Sequence, residues 1–356
     1  MPIRNKTCFK PELKNSVFQL LIIIAFGFTS GAAQAQEMRD VIRRVDASVV
    51  VIKTVEKNIL PAPPAIFVSS PGLGSGVLIS RDGRVLTAAH VVQAADKIEV
   101  EFVDGQVVPA KVIASLPRAD VAMLKLDWVP HNAVPADLGD SDKIQAGDAV
   151  FVIGAPYGIG HSVSVGHISG RRTGNVSFSG TARLELLQTD AAINKGNSGG
   201  PMFNMAGEVV GVISHILSQS GGFEGLGFAV TANAAQKLLL GTKGFWSGID
   251  GILLFADWVR IFNIPQPAGF LVQRVADNSP ASRIGLIGGS YRATISGAEL
   301  LVGGDIILAV GKIAVVPDGG TTLEIIEYLN NLKSGETVSL KVLRSGQITE
   351  LKTVVP

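Results

Sequence analysis

The stretch "INKGNSGGPMF", residues 193–203, sets one serine, Ser198, among Gly196, Gly199 and Gly200. Glycine accepts backbone angles and close approaches that any side chain forbids. A tight turn that presents a hydroxyl needs that freedom, and so do backbone N–H groups converging on one point, the arrangement that stabilises an acyl-transfer oxyanion. The plainer reading is a Gly-rich hairpin with an incidental serine, so the surrounding sequence has to decide.

Around this stretch the chain is built of short strands. From about residue 45 to 230, Val-rich runs alternate with turn signals: "ASVVVIKTVE", "GSGVLISRDGRVLTAAHVV", "KIEVEFVDGQVVPAKVIAS" and "VAMLKLD", then "DAVFVIGAPYG", "HSVSVGHISG", "LELLQTDA", "PMFNMAGEVVGVISHI" and "GLGFAV". That pattern predicts a mainly β fold, a pair of barrels or sandwiches. Asp82-Gly83 and Asp104-Gly105 are read as hairpin turns, and "ILPAPPAIFVSSPG" (59–72) as a Pro/Ser-rich loop. After Thr231 the period changes: "TANAAQKLLLG" predicts a short helix stopped by Gly241. A second region from about Gly244 mixes strands with a helix, "TTLEIIEYLNNLKSG", whose Leu323, Ile326 and Leu329 keep helical spacing. It ends in the hairpin "TVSLKVLRSGQITELKTVV", and nothing in it repeats.

The first 35 residues have the pattern of an export signal. Arg4, Lys6, Lys10 and Lys14 precede the 12-residue apolar run "VFQLLIIIAFGF", and Ala33-Gln34-Ala35 is a small-residue cleavage site. An uncleaved anchor needs roughly 20 apolar residues, and Thr29, Ser30 and Gly31 interrupt this run. The expectation is a periplasmic or secreted protein with no stable membrane insertion. The single cysteine, Cys8, falls within the signal, so the mature chain has no disulfide, thiolate metal site or cysteine nucleophile. A net charge of +1 without a basic stripe argues against nucleic acid as a partner.

A serine hydroxyl becomes a nucleophile when a base takes its proton and a third group holds that base in the right tautomer. His90, in "VLTAAHVV", sits at a strand end among small residues; alone it reads equally as a packed histidine. Asp120, in "RADVAMLKL", opens a strand; alone it reads as a turn or cap residue. In the order His90, Asp120, Ser198 on a double-β pattern, the three match the chain order of the chymotrypsin-type triad. "GNSGG" also fits the G-x-S-x-G elbow of α/β-hydrolases, which place acid and histidine after the serine. Here only His215 follows, with no aspartate between, and the flanking elements are strands.

These residues resemble the HtrA (Deg) serine proteases over nearly all of the mature chain. "GSGVLIS", "VLTAAHVV", "ADVAMLKL", "GAPYG", "QTDAAINKGNSGGPMFN", "GEVVGV" and "GLGFAV" are similar to that family's protease blocks in content and order. The resemblance implies a chymotrypsin-like double β-barrel protease domain over 37–241, behind a signal over 1–35, followed by an α+β PDZ domain over 245–355. It implies His90 as general base, Asp120 as its orienting partner, Ser198 as nucleophile, and the N–H groups of Gly196 and Ser198 as oxyanion donors. No cofactor or metal is implied. Ala192 and Ile193, just before the serine, are read as an apolar floor of the primary specificity pocket, with Asp190 structural; this predicts cleavage after small or medium apolar residues.

"AGFLVQRVADNSPASRIGL" and "GGDIILAVGKIAV" look like the PDZ module, which takes a peptide C-terminus as an added strand. Its carboxylate-binding loop is either "WSGI" (246–249) or "DGIL" (250–253), and the 287–303 segment is longer than the usual link. The implied partners are unfolded polypeptides and peptide C-termini, in an ATP-independent endopeptidase. The implied assembly is a homo-oligomer, by default a trimer. A chaperone or PDZ scaffold without hydrolysis is the rival reading, against which the intact triad and glycines speak. "GHISGRRTGNVSFSG" (166–180) and "SHILSQSGGFEG" (214–225) are Gly-rich enough to hold the oxyanion turn misaligned at rest.

Overall fold

The structure is a computed structural model that describes residues 36–60, 66–174, 184–240, 245–317 and 321–354. The expected export signal lies outside the described residues, as do 61–65 of the Pro-rich stretch and 175–180 of the first Gly-rich loop. The chain divides into one unit ending at Arg44 and a second running from Val45 to Pro356. A helix, α1, covers residues 36–46; all that follows lies in the second unit.

Two closed six-stranded antiparallel barrels come first. One is ordered β1-β2-β3-β6-β5-β4, from β1 (Val49–Leu60), β2 (Ile66–Leu78), β3 (Arg84–Thr87), β4 (Lys97–Glu101), β5 (Val107–Leu116) and β6 (Val121–Leu126). The other is ordered β10-β11-β12-β9-β8-β7, from β7 (Ala149–Gly154), β8 (Ser162–Gly174), β9 (Leu184–Thr189), β10 (Pro201–Asn204), β11 (Val209–Ile216) and β12 (Gly227–Thr231). Apolar side chains on alternating positions fill each barrel: Ile52, Leu78, Val85, Val100 and Leu124 in the first, Val152, Ile168, Leu187, Met202 and Ile213 in the second. Closure leaves no sheet edge to protect. Asp82-Gly83 joins β2 to β3 and Asp104-Gly105 joins β4 to β5, both glycines having positive φ as a tight hairpin requires. The loop expected over 59–72 is corrected: β1 and β2 stay paired out to Leu60 and Ile66, so strand covers most of that stretch despite its prolines and serines. Pro71 sits in the β1–β2 ladder, where local turn chemistry has yielded to strand pairing.

The helix expected after Thr231 is α3 (Ala232–Leu240), and α2 (Ala89–Val92) is a single turn after β3. Beyond it, β13 (Ile249–Phe255), β14 (Ala268–Val275), β17 (Ile306–Val310), β19 (Thr337–Arg344) and β20 (Gln347–Val354) form a sheet in that order, with β18 (Ile313–Ala314) beside β17. Helices α4 (Asp257–Ile261), α5 (Pro280–Arg283) and α6 (Thr321–Asn331) complete this α+β domain. "WSGI" and "DGIL" are separated by the fold: Gly248 lies in the turn ahead of β13, while Asp250–Leu253 lie within the strand.

The long 287–303 segment is a separate hairpin, β15 (Tyr291–Ile295) and β16 (Ala298–Val302), turning at Ser296-Gly297 with positive φ at both. Leu300 of the hairpin packs with Leu254, Leu271, Ile306 and Leu308 on one face of the sheet. Asp305 pins the segment where it rejoins the sheet. Its fully buried carboxylate accepts from the Ile287 N–H at 2.9 Å and from Arg344 Nε and Nη2, both at 2.7 Å. A buried charge is tolerable only while its partner remains. Arg344→Met should therefore destabilise this domain by about 3 kcal/mol, read as a lower urea midpoint with early loss of amide protection in β17 and β19; an unchanged midpoint would refute the assignment.

Candidate active site

His90, Asp120 and Ser198 come from three separate elements and meet at the junction of the two barrels. His90 stands on α2, whose Ala89, Val91 and Val92 are buried and hold the turn against the first barrel. Asp120 follows a 3₁₀ turn (Pro117–Ala119) and adopts left-handed geometry, φ 51°, which aspartate tolerates better than most residues. That bend aims its carboxylate at α2. His90 Nδ1 lies 2.8 and 3.0 Å from the two Asp120 oxygens, and the His90 backbone N–H donates to Oδ1 at 3.1 Å. With an ionised carboxylate as acceptor, Nδ1 carries the proton and Nε2 is left to accept one.

Ser198 is placed by backbone. Its carbonyl accepts from the Ser75 N–H at 2.8 Å, and the Gly199 N–H donates to Ile213 O at 2.7 Å. A Cβ at Gly199 would overlap Thr87 Oγ1, and one at Gly196, where φ is 104°, would overlap the carbonyl oxygen of Ala155. These two glycines are therefore sterically required. Among the described residues, neither the Gly196 nor the Ser198 N–H has a hydrogen-bond acceptor. Ser198 Oγ donates to the carbonyl of Ser214 at 3.4 Å and has no hydrogen bond to His90.

Ser214 is the residue that sequence reasoning missed. The β11–β12 register shifts between Ile213 and His215, leaving Ser214 as the extra residue of a β-bulge. The bulge turns its buried hydroxyl onto Asp120 Oδ2 at 2.5 Å, while its carbonyl receives Ser198. The signal available was a polar Ser-His pair inside an otherwise apolar strand, "VVGVISHI".

The electrostatics follow from this geometry. Burial pulls the imidazolium of His90 down, but the hydrogen bond and charge of Asp120, with Glu56 adding, outweigh it and leave the pKa raised. Burial likewise pushes the Asp120 carboxyl up, and the His90 contacts together with the Ser214 hydroxyl bring it below the usual carboxylate range. Burial of Glu56 raises its pKa against the opposing charge of Arg274.

The remaining predicted residues are close by. Ile193 is buried with Gly227 and the ring of Phe223 against it, whereas Ala192 is exposed. Asp190 accepts from the His167 N–H at 2.6 Å, a structural use of that carboxylate. The second Gly-rich loop is closed by Glu224, which accepts from Gln219 N, Ser220 N and Ser220 Oγ, and these bonds hold its pKa at about 2. The α+β domain touches the turn that carries His90: Gln93 Nε2 donates to Ile249 O at 2.8 Å and Trp246 Nε1 donates to Gln93 O at 3.1 Å, while Ser115 Oγ of β5 donates to Gln93 Oε1 at 2.5 Å. Among the described residues no group of three or more His, Cys, Asp or Glu side chains is arranged to hold a metal ion, and no helix is long and apolar enough to cross a membrane.

Comparison with known proteins agrees with this architecture. A trypsin-like peptidase domain matches residues 74–212, which include His90, Asp120 and Ser198, and a PDZ domain matches 226–355. The probable periplasmic serine endoprotease DegP-like of Pseudomonas putida (strain F1) is 38% identical over 284 residues, 77% of this chain and 54% of that protein. The probable periplasmic serine protease do/HhoA-like of Haemophilus influenzae (strain Rd) is 35% identical over 290 residues, 79% of this chain and 57% of that one. The chain thus spans about half the length of the curated relatives it matches. Among solved structures, the HtrA-type protease AlgW with decapeptide superposes at a TM-score of 0.51 with 28% identity, covering 89% of this chain and 97% of that one. AlgW with tripeptide gives 0.50 with 29% identity, covering 89% and 96%. Two β-barrels meeting at a serine, histidine and aspartate, the peptidase and PDZ matches in that order, and these relatives together place the chain in the HtrA/Deg family, with one PDZ domain after the peptidase domain.

Proposed function

We propose that this chain is an exported, ATP-independent serine endopeptidase acting on unfolded or damaged proteins in the periplasm, with domain limits at 37–241 and 245–355 behind a cleaved signal over 1–35. The observation that carries the reading is the His90–Asp120 pair, oriented for base catalysis, sharing the Ser214 hub with the Ser198 hydroxyl. For catalysis Ser198 Oγ must turn from the Ser214 carbonyl to His90 Nε2. It then attacks the scissile carbonyl carbon as His90 Nε2 takes its proton. The oxyanion is received by the free N–H groups of Gly196 and Ser198. On collapse His90 returns the proton to the leaving amine, and water hydrolyses the acyl-enzyme by the same path.

The base works only when neutral. Because the His90 pKa is raised, kcat/KM should fall as pH drops through a midpoint above about 6.5. Fluorophosphonate labelling tests both nucleophile and base: Ser198→Ala should abolish it, and Asp120→Asn, which leaves the imidazole in the wrong tautomer, should lower turnover by about 10⁴. Labelling that survives Ser198→Ala would end this reading; absence of labelling in the intact chain, with and without unfolded substrate, would favour the scaffold.

Ile193, buried against Gly227 and in one apolar cluster with Phe223, supports an apolar primary pocket with Ala192 at its rim. Digestion of denatured casein should give cuts mainly after valine, alanine and similar residues. Cuts mainly after lysine or arginine would refute the pocket.

For the PDZ domain, β13 is the end strand of its sheet, and side chains of β13 and α6 meet in one apolar cluster through Ile249, Leu253, Ile325 and Tyr328. That supports addition of a substrate or activating peptide C-terminus along β13, with Trp246–Ile249 as its carboxylate loop. Exposed Leu73, Tyr157 and Ile159 on the peptidase domain support self-association, by resemblance a trimer. Sedimentation equilibrium should give three chains; a monomer that remains fully active would refute this part.

A further inference from the structure

The hydrogen bonds behind Asp120 do not stop at Ser214. In a regular strand Ser214 and His215 would point to opposite faces, but the bulge brings Ser214 Oγ to 3.0 Å from His215 Nδ1. The ring of His215 is itself fixed by stacking on Phe228, centroids 5.1 Å apart and planes at 18°. Ser214 Oγ has one proton, and its 2.5 Å approach to an ionised carboxylate commits that proton to Asp120. His215 Nδ1 must therefore carry a proton of its own and donate it to Ser214. Two imidazoles thus flank one carboxylate: His90 donates to it directly, and His215 donates through a hydroxyl.

On the reading of this site as a serine peptidase, we propose that His215 is a positioning residue that locks the Ser214 hydroxyl onto Asp120 and so limits how tightly Asp120 holds the imidazolium of His90. Without the His215 donor, the Ser214 hydroxyl is free to rotate off Asp120. The carboxylate then loses a hydrogen bond to its charged form and becomes more basic, and the protonated state of His90 gains. Burial keeps His215 below the usual histidine range, with Asp120 opposing and His90 reinforcing that shift, so it is a neutral donor at working pH. Of the ionisable groups round it, Asp120 and His90 act on its charge, and β3 has Arg84, paired with Asp82. Neighbouring strands β10 and β12 have none, and α3 has only the exposed Lys237. On the far side of His90 the facing charge is Glu56 of β1.

Two substitutions separate the donor from the stack. His215→Phe keeps a ring against Phe228 without a donor; His215→Asn brings an amide N–H near the Nδ1 position without the ring. In the full chain labelled with ¹⁵N-histidine, NMR should find His215 in the Nδ1–H tautomer. The His90 midpoint should rise by about 0.5 to 1 pH unit in His215→Phe and return to within about 0.2 unit of the parent in His215→Asn. The pH dependence of fluorophosphonate labelling should shift the same way, slowing labelling at pH 6 by about 3- to 10-fold in the Phe variant only. An Nε2–H tautomer, an unmoved His90 midpoint in the Phe variant, or equal shifts in both variants would overturn the proposal. Were the parent chain not labelled at any pH, the peptidase reading would fall, while the NMR titrations would still decide the role of His215.

Discussion

One buried hydroxyl stitches the two barrels into a single site. Ser75, on β2 of the first barrel, donates from Oγ to the carbonyl of Gly196 at 2.7 Å and accepts from the Ala155 N–H at 2.9 Å. Its own N–H donates to Ser198 O, and its carbonyl accepts from Thr87 Oγ1 at 2.8 Å, beside the start of the histidine turn. Gly196, Ala155 and Thr87 are buried, and their polar groups would be costly to leave unsatisfied away from water. The Ser198 turn is thus fixed against the His90 turn through the side chain and backbone of Ser75. Gly199 follows from the same constraint, since a side chain there would strike Thr87 and the Ser75 carbonyl.

His90, Asp120 and Ser198 were legible in the sequence because each is a chemically distinctive residue in a local setting that explains it: small residues round His90, a strand start at Asp120, glycines round Ser198. Ser75 and Ser214 were not. Serine is ordinary in "GSGVLIS" and "VVGVISHI", and its role is created only by three-dimensional facts, the contact between barrels and the register shift in β11. The barrel strands were legible for a related reason, since their Val-rich alternation is the cause of their burial. The 59–72 loop was misread because prolines and serines report local turn preference, whereas a strand paired along its whole length is set by its partner. For the 287–303 segment, length alone marked an insertion. The Asp305–Arg344 pair that anchors it joins residues 39 apart in sequence, which no local pattern displays.

Stability and the proposed base catalysis ask opposite things of the His90–Asp120 pair. A histidine whose pKa is raised on folding stabilises the fold fully below its unfolded pKa and loses that contribution as pH rises through the folded value. Asp120, whose pKa is lowered, contributes above its unfolded value and loses its contribution as pH falls through the folded one. The pair therefore supports the fold most between the two titrations, in mildly acid solution, where His90 is protonated and useless as a base. Neutral His90, the state proposed to act as the base, is thus the one in which the pair contributes less to the fold. The buried Ser214 hydroxyl and the backbone N–H of His90 hold Asp120 in place in either state, so the geometry does not depend on the charge of the imidazole.

The histidine turn has no stability of its own. A helix of four residues is far below the length that survives in isolation, and α2 has no side-chain cap at its start. Its orientation must come from what it touches. Val91 and Val92 sink into the first barrel, His90 is held from one side by Asp120, and Gln93 is held from the other by Ser115 and by the Ile249 carbonyl. Asp96, just beyond, accepts from the Asp277 N–H of the PDZ domain at 2.6 Å. The same few residues that hold His90 thus also contact the PDZ domain at the start of β13. The path of hydrogen bond and chain from Ile249 through Gln93 to His90 is correspondingly short.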